Sequence, residues 1–368
     1  MSEERKYWSA FHRIPEIGQV KLGELPERFG SLQDTWQAPD GQMKAAGLDS
    51  RSVSAITQAR PDSSPEAEVE RLRKAQVSAV MIDDASYPSR LKESFDPPPV
   101  LYVQGTLRAD ESAVTIGRAR APTSYGREVA RSLPLDLAHN GVSVVSGLAR
   151  RIDSVAHQAA MEGGDRTIVV QACGLDMVYP SAHASLARQI LEQGALVSDY
   201  PLGTKPRAEH FPRRNRTLAG LTAGTLVVTA EDKSGALTSR PVRCREVMCV
   251  PGSIHSPVSR GTNRWIREGA KAILEVEDIL EELNFRTMAR QMELPEPVSM
   301  DNTEAQVLKH VTVEPTHIDE IVRASGLPVA IVSSTLAVLA LRGLVSQSTS
   351  MSYVQTRREA VDYVTSTP

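Results

Sequence analysis

Apolar and polar residues alternate in blocks through the central part of the chain. Short apolar runs occur in "AVTIG" (113–117), "GVSVVSG" (141–147), "RTIVV" (166–170), "ALVSDYP" (195–201), "GTLVVTA" (224–230) and "REVMCVPG" (245–252). Between them, segments such as "SYGREVARSLPLDLAHN" and "IDSVAHQAAMEGG" have apolar residues at helical spacing. Apolar strands that alternate with helices are typical of βαβ units. We therefore predict an α/β fold with a Rossmann-like parallel-sheet core and helices on both faces.

The first 65 residues have a different pattern from the centre. Short helical segments separated by Gly and Pro, such as "IPEIGQVKLGELPERFGS" and "KAAGLDSRSVSAI", fill residues 7–60. The Ile-Pro-Glu-Ile-Gly turn is similar to a helix-hairpin-helix turn, and "PDSSP" at 61–65 has the composition of a linker. We predict a small helical domain, helix-hairpin-helix or SAM-like, over residues 1–65. The Rossmann-like domain is then expected over residues 66–290.

The last part of the chain begins after a Pro-rich segment, "MELPEPVSMDN". Three helical patterns, "TEAQVLKHV", "HIDEIVRASG" and "PVAIVSSTLAVLALRG", precede the hairpin-like "LVSQSTSMSYVQ". This order predicts a winged-helix domain over residues 300–368. The third helix has no Lys or Arg between Pro328 and Leu341. Because base recognition in the major groove relies on such side chains, we favour a protein or dimer contact over DNA reading for this domain.

Composition limits the class of protein. A length of 368 residues predicts two or three domains, and 41% hydrophobic with 24% charged residues is typical of a soluble globular protein. The N-terminal "MSEERKYWSA" has no apolar signal region, and no run approaches 18 apolar residues. These features predict a cytoplasmic protein without a membrane span. Three cysteines without CxxC, and eight histidines without HExxH, predict neither a metal site nor a disulfide framework.

The formal net charge of −3 hides a strong segregation of charge. Residues 201–220 contain five Lys or Arg and one Glu, and residues 240–268 contain six Arg and two Glu. Residues 274–320 contain twelve Asp or Glu and three basic residues. A basic middle region next to an acidic one indicates that the middle region binds an anion.

Several predicted strands end in turns that contain Gly and Ser, including "SGLARRID" (146–153), "ACGLDMVYP" (172–180) and "PGSIHS" (251–256). Such turns expose backbone N–H groups that bind phosphate, although a single Gly turn serves tight strand-to-helix geometry equally well. No turn fits GxxxxGK[ST], which excludes a P-loop nucleotidase, and no clean GxGxxG indicates a dinucleotide cofactor. We therefore expect no cofactor and favour an extended polyanion as the ligand.

Signals for catalysis are weak. Asp153 and His157 are four residues apart on a predicted helix and Ser146 is near in sequence, but the GxSxG nucleophile turn is absent. His157 is better explained as a helix-packing residue than as a general base. Asp176 and Asp199 follow strands and fit caps of helices or turns as well as general acids. We predict that the protein is not an enzyme.

The ordered motifs together resemble the DNA-processing protein A (DprA/Smf) family over nearly the whole chain. The motifs are "YPSRLKESFDPPPVLYVQG" (87–105), "SGLARRIDSVAHQAAMEGG" (146–164), "CGLDMVYP" (173–180), "FPRRNRTLAGL" (211–221), "SGAL" (234–237) and "VPGSIHSPVSRGTNRWIREGA" (250–270). The resemblance implies a homodimer that binds and protects single-stranded DNA without cutting it. It further implies that the protein loads the RecA recombinase onto incoming DNA during natural transformation, without contact to a membrane.

The resemblance also implies which residues contact DNA. They are Arg120, Ser146, Gly147, Arg150, Phe211, Arg214, Asn215, Arg216, Ser234 and Gly235. Phe211 would stack on a base, and the arginines with helix-start amides would hold phosphates. An alternative for Arg216 and Asn215 is hydrogen bonding to neighbouring strand-end carbonyl groups. Aromatic residues make up 4% of the chain, so phosphate contacts with one or two stacked bases are expected rather than continuous stacking.

The sequence departs from the family pattern at several turns. Arg118 and Ala119 replace the Gly-Ser of a Gly-Ser-Arg turn, Arg151 replaces a Gly, and Gln171-Ala172 replace an apolar residue and a Gly. Pro134 falls inside a predicted helix, and the helix after Leu237 is expected to be short. Glycine permits a positive φ and close approach of a phosphate, which a side chain hinders. Either Arg118 and Arg151 replace amide contacts by side-chain charge, or the pocket is weakened.

Two other functions compete with DNA binding. A Rossmann-like nucleotide-binding enzyme, such as a nucleotide N-glycosidase, is expected to carry a Pro-Gly-Gly-x-Gly-Thr turn, to which "VPGSIHS" is the nearest segment. A structural scaffold would use the winged helix as a protein-contact surface. The absence of that turn argues against the enzyme, and the basic character of residues 201–268 argues against the scaffold.

Overall fold

The computed structural model describes residues 3–61, 64–117, 123–231, 246–285, 301–312, 315–342, 344–349 and 351–355. The chain forms two compact units, Met1–Met288 and Ala289–Pro368. The first unit contains one large sheet with helices, and the second contains a small sheet with three helices among its described residues. The two units are described separately below.

The sheet of the first unit has nine strands among the described residues, in the order β1-β2-β6-β5-β4-β3-β7-β8-β9. They are β1 (Ser78–Met81), β2 (Val100–Gly105), β3 (Ala113–Gly117), β4 (Ser143–Ser146), β5 (Thr167–Gln171), β6 (Ala195–Ser198), β7 (Gly224–Val227), β8 (Glu246–Cys249) and β9 (Lys271–Ala272). Strands β3 to β9 pair in parallel, which confirms the predicted parallel core. The antiparallel pairing of β1 with β2 and of β2 with β6 was missing from the sequence prediction.

Helices surround this sheet and form the N-terminal region. They are α1 (Glu3–His12), α2 (Gln19–Phe29), α3 (Leu32–Gln37), α4 (Asp40–Ala45), α5 (Ser50–Ala59), α6 (Pro65–Lys74), α7 (Ser89–Lys92), α8 (Ser124–His139), α9 (Ile152–Glu162), α10 (Ala184–Gln193), α11 (His210–Leu221), α12 (Arg260–Arg267) and α13 (Val276–Glu282). The expected linker at 61–65 ends in α6, because Ser64 caps this helix and Pro65 lies in its first turn. Pro134 lies inside α8 and is buried there, as the sequence predicted.

The N-terminal helices share a hydrophobic core with one face of the sheet. Phe11 and Leu22 from this region belong to the same buried cluster as Tyr102 of β2 and Val169 of β5. The central strands are buried throughout, as expected for parallel strands covered on both faces. The separation of a domain at residues 1–65 stays a prediction.

The order in which the chain adds strands to the sheet reverses beside β3. The chain proceeds from β3 through β4 and β5 to β6, and then returns to the other side of β3 with β7. Helix α11 makes this return. Parallel strands end at a common edge, and ligands of open α/β sheets bind beyond that edge. The start of α11 follows the carboxyl end of β6 and therefore lies at this edge.

The second unit confirms the predicted winged helix. It contains α14 (Asn302–Leu308), β10 (Thr316–His317), α15 (Ile318–Ser325), α16 (Val329–Leu341), β11 (Val345–Thr349) and β12 (Ser352–Gln355), with the strand order β10-β12-β11. Its core is a cluster of aliphatic residues that includes Ile321, Leu336 and Leu339. Among the described residues, no single helix has the length and apolarity to cross a membrane, although the bent pair α15 and α16 passes on length and composition alone.

Candidate nucleic-acid interface

Arg214 of α11 hydrogen-bonds to the carboxyl-end regions of two neighbouring strands, β4 and β5. Its guanidinium is buried, and its Nη1 donates hydrogen bonds to the carbonyl oxygens of Gly147 (3.0 Å) and Val170 (2.7 Å). Gly147 follows β4 and Val170 lies in β5. The side chain therefore places a positive charge beneath the carboxyl edge while satisfying two backbone acceptors.

Gly147 is required by the position of this guanidinium. A Cβ atom added at Gly147 would lie 2.2 Å from Nη1 of Arg214 and 2.5 Å from its Cζ. Because the guanidinium is buried, it has no free space into which to move. Gly147 and Arg214 therefore pack directly against each other, although they are 67 residues apart in the chain.

Asp153 closes the turn between β4 and α9. Its Oδ2 accepts hydrogen bonds from the backbone N–H of Gly147 (3.2 Å) and of Ala149 (3.0 Å). Burial raises the pKa of Asp153, and the charge of Arg214 and these backbone donors oppose the rise. Both amides are thus occupied within the protein and are not free for a phosphate.

Ser146 is fully enclosed at the end of β4. Its hydroxyl donates to the carbonyl oxygen of Ile116, at 2.6 Å, and thereby links β4 to β3. Together with the Gly147–Arg214 contact, this bond gives Ser146 and Gly147 a structural role in shaping the turn. Their expected contact with DNA stays a prediction.

Two aromatic rings lie side by side at the start of α11. The ring centroids of Phe211 and Tyr179 are 5.9 Å apart at an angle of 58°, and Cζ of Arg214 is 5.8 Å from the centroid of Phe211. Phe211 is half-buried, whereas Tyr179 is exposed. The pair offers a ring surface for a nucleic-acid base above a buried cation. Tyr179 was not selected from the sequence, although it lies in the quoted "CGLDMVYP" motif.

The other two arginines of the motif have carboxylate partners. Nε of Arg213 is 3.1 Å from Oδ2 of Asp199, and Nη1 of Arg216 is paired with Asp96. Burial raises the pKa of Asp199, and Arg213 opposes the rise. Hydrogen bonding to strand-end carbonyl groups was the alternative role for Arg216 and Asn215. In the structure Arg214 makes these hydrogen bonds instead. Asn215 is half-buried, and its Oδ1 accepts a hydrogen bond from Nε of Arg214 at 3.2 Å.

Exposed cations line the turns beside this site. Arg150 and Arg151 are exposed in the turn after β4, and Lys205 is exposed in the segment that leads to α11. Arg151 adopts a φ of 86°, which confirms that a side chain occupies a position favouring glycine. The predicted contacts Arg120, Ser234 and Gly235 lie outside the described residues, as do Arg118, Ala119 and the segment after Leu237.

The residues considered for catalysis have structural partners. Nδ1 of His157 is 2.6 Å from the hydroxyl of Thr167 at the start of β5, and burial lowers the pKa of His157 to about 3, so the imidazole is neutral and lies near the amino end of that strand. Oδ1 of Asp176 accepts a hydrogen bond from the backbone N–H of Gly203 at 2.8 Å, which is a turn cap. Asp199 is paired with Arg213. The described residues contain no group of three or more His, Cys, Asp or Glu placed to bind a metal.

The chain is similar to known proteins over most of its length. Residues 78–284 match the family described as DNA recombination-mediator protein A, and residues 291–349 match the DprA winged helix domain. The chain is 32% identical to Protein Smf of Synechocystis sp. over an alignment of 393 positions, which covers 96% of this chain and 99% of that protein. It is 38% identical to Protein Smf of Escherichia coli over 289 residues, which cover 75% of this chain and 76% of that protein.

Two solved structures have a similar fold. DNA processing protein A from Streptococcus pneumoniae matches with a TM-score of 0.62 and 29% identity, over 77% of this chain and 97% of that chain. DNA processing protein A from Helicobacter pylori, described for its single-stranded DNA binding mode, matches with a TM-score of 0.51 and 27% identity, over 57% of this chain and 96% of that chain. From the domain matches and the relatives, the chain belongs to the DNA-processing protein A (DprA/Smf) family.

Proposed function

We propose that this protein binds single-stranded DNA at the carboxyl edge of the sheet, with a base on the ring pair of Phe211 and Tyr179. The observation that carries the proposal is the placement of this ring pair over the buried guanidinium of Arg214. Stacking tolerates any base sequence, and exposed arginines attract the phosphates. A duplex keeps its bases stacked inside, so its bases are not available to these rings.

The contacts within the site favour phosphate binding by side chains rather than by the turn amides. The amides of Gly147 and Ala149 already donate to Asp153. Arg150, in the turn after β4, and Lys205, in the segment that leads to α11, are by contrast exposed. Arg213 and Arg216 share their charge with Asp199 and Asp96, so they contribute less to phosphate binding than an unpaired arginine would. We propose Phe211, Tyr179 and Arg150 as direct contacts, and Arg214 as the residue that supports them.

A role in recombination follows from the proposed binding mode. A protein that holds a single strand without a catalytic group can protect it and hand it to a recombinase. We propose that this protein loads RecA onto single strands during natural transformation or homologous recombination, acts in the cytoplasm, and works as a homodimer. The name of the family, DNA recombination-mediator protein A, supports this assignment.

Fluorescence anisotropy of a labelled oligo-dT strand tests the binding proposal. The protein is titrated at low and moderate salt, with a matched duplex as competitor. We expect salt-sensitive binding that the duplex competes for poorly, because phosphate contacts weaken as salt rises. Binding to the duplex as tight as to the strand, or no binding at low salt, would contradict the proposal. Incubation with a nucleoside monophosphate, followed by chromatography for released base, checks the alternative N-glycosidase function.

The RecA and dimer proposals need separate measurements. The lag before RecA hydrolyses ATP on a single strand should shorten when this protein is added, and it should shorten less with a Phe211→Ala variant. Sedimentation velocity at several concentrations measures the oligomeric state. An unchanged lag would overturn the loading function while leaving DNA binding intact.

A further inference from the structure

Two amides of the turn between β4 and α9 are occupied within the protein. The N–H groups of Gly147 and Ala149 donate to Asp153, and the carbonyl of Gly147 accepts from Arg214. The carbonyl of Arg151 accepts from the backbone N–H of Val155 at 3.1 Å. These two amides are not available to a phosphate, whereas the side chains of Arg150 and Arg151 are exposed.

Two of these side chains are unpaired arginines. Arg150 and Arg151 are exposed, and neither guanidinium has a hydrogen bond or ion pair with any residue in the described parts of the chain. Some other exposed arginines of this protein have carboxylate partners: Nε of Arg73 is 2.8 Å from Glu70, and Nη2 of Arg131 is 2.9 Å from Glu162. The turn beside Arg214 thus keeps two positive charges available to a ligand.

Arg151 occupies a backbone conformation that disfavours its own side chain. Its φ of 86° and ψ of −98° lie where a Cβ atom collides with the neighbouring peptide group, and glycine adopts such values without this cost. The side chain has no hydrogen bond or ion pair within the described residues that would offset the cost. Folding alone therefore gives no reason for an arginine at this position.

We propose that Arg151 is a phosphate-binding residue of the single-strand site, acting through its guanidinium where the turn amides are occupied. The inference rests on the proposed single-stranded DNA binding. A guanidinium can donate two parallel hydrogen bonds to the oxygens of one phosphate, which suits an exposed arginine in the turn whose Gly147 contacts Arg214. The strained backbone is retained because a glycine would relieve the strain and lose the phosphate contact.

Three variants of the full-length protein distinguish the effect of the backbone strain at Arg151 from the effect of its positive charge. Arg151→Gly removes both, Arg151→Asn removes the charge and keeps a residue that tolerates a positive φ, and Arg151→Lys keeps the charge. Binding to labelled oligo-dT is measured over a series of salt concentrations. We expect the Gly and Asn variants to bind about fivefold more weakly at low salt, with a salt slope lower by about 0.7 for one lost phosphate. The Lys variant should keep the slope of the parent.

Thermal unfolding supplies the second readout. Arg151→Gly should raise the midpoint of unfolding by about 2–4 °C, because it relieves the strained φ. Gln76→Gly is the matched control, since Gln76 is exposed with a φ of 54° at the end of α6. It should raise the midpoint and leave DNA binding unchanged. Arg131→Gln controls for loss of one positive charge elsewhere and should keep the salt slope.

The results distinguish this inference from the proposed function. If the parent binds the strand and the Gly and Asn variants keep its affinity and salt slope, Arg151 is not a phosphate contact and the binding function stands. A Lys variant as weak as the Asn variant would also overturn the role of charge. If the parent itself does not bind the strand, the proposed function and this inference fail together.

Discussion

Helices α11 and α16 have nearly the same length, 12 and 13 residues, but they present different chemistry. The start of α11 carries Phe211, the buried guanidinium of Arg214 and the half-buried Arg213 and Arg216, and Tyr179 lies beside Phe211. Helix α16 has no charged residue, and it exposes apolar side chains that include Ile331, Val338 and Leu341. We expect a polyanion to bind at the first helix and not at the second. Membership of the family would then not make each helix of the chain a DNA contact.

The largest effect is expected when Arg214 is truncated. Arg214→Ala removes the donor to two buried carbonyls and leaves Asp153 without its neighbouring cation, so the free energy of unfolding should fall by about 3–5 kcal/mol. Strand binding should be lost with the shape of the turn. Chemical denaturation and oligo-dT anisotropy measure the two effects.

Arg216→Gln is the matched control on the same helix. The Arg216–Asp96 pair is partly exposed, so its loss should cost less than about 1 kcal/mol. If both variants changed the unfolding free energy equally, the buried network around Arg214 would not be the feature that distinguishes α11.

Removing the ring of Phe211 should weaken DNA binding more than it weakens the fold. Phe211→Ala should cost about 1–3 kcal/mol of binding free energy for one stacked base, because the ring is half-buried at the edge of the site. Phe211→Trp retains an aromatic face and should keep most of the affinity. Anisotropy at fixed salt measures both. Equal affinities for the Ala variant and the parent would exclude base stacking on this ring.

Acid should destabilise the unit that carries α11 through His157. Burial lowers the pKa of His157 to about 3, whereas the unfolded state takes up its proton near pH 6.5. The unfolded state therefore binds more protons between these values, and stability falls as the pH decreases from about 6.5 toward 3. The contribution is complete above this range, and it amounts to about 2 kcal/mol lost between pH 7 and 5.

A His157→Gln variant isolates this contribution. The raised pKa values of Asp153 and Asp199 act in the opposite direction, because the folded state then binds protons more tightly as the pH falls. Denaturation of parent and variant at pH 7 and 5 gives two pH dependences, and their difference should be about 2 kcal/mol. Identical pH dependences would show that His157 becomes protonated in the folded protein.

The smallest effect is expected on α16. Leu341→Asp places a charge on an exposed position and should change the free energy of unfolding by less than about 0.5 kcal/mol. The affinity for oligo-dT should stay the same, because this helix offers no cation to a phosphate. A loss of strand binding in this variant would show that α16 takes part in DNA binding and would remove the contrast with α11. A change in sedimentation alone would indicate a protein contact.

Local patterns in the sequence were sufficient for much of this fold. Apolar runs separated by helical segments predicted the parallel strands, because burial on both faces requires continuous apolar residues. The order of helices and hairpin predicted the winged helix. Strands β1 and β2 were missed, since their short apolar runs carry no signal of antiparallel pairing. The interior position of Pro134 was anticipated from the sequence pattern, and the positive φ at Arg151 from the glycine that the family has at this position.

Some features of the candidate site could be predicted from the sequence, and others became visible only in the tertiary structure. The sequence identified Phe211 and the arginines after it, because positive charge beside an aromatic residue is visible without coordinates. Only the tertiary structure decided which arginine is buried, that Tyr179 joins Phe211, and that Asp153 occupies the turn amides. These facts depend on residues from three separate strand ends that meet only when the sheet forms. Residue type determines the chemistry that is available, and packing of distant segments determines which groups remain free to bind.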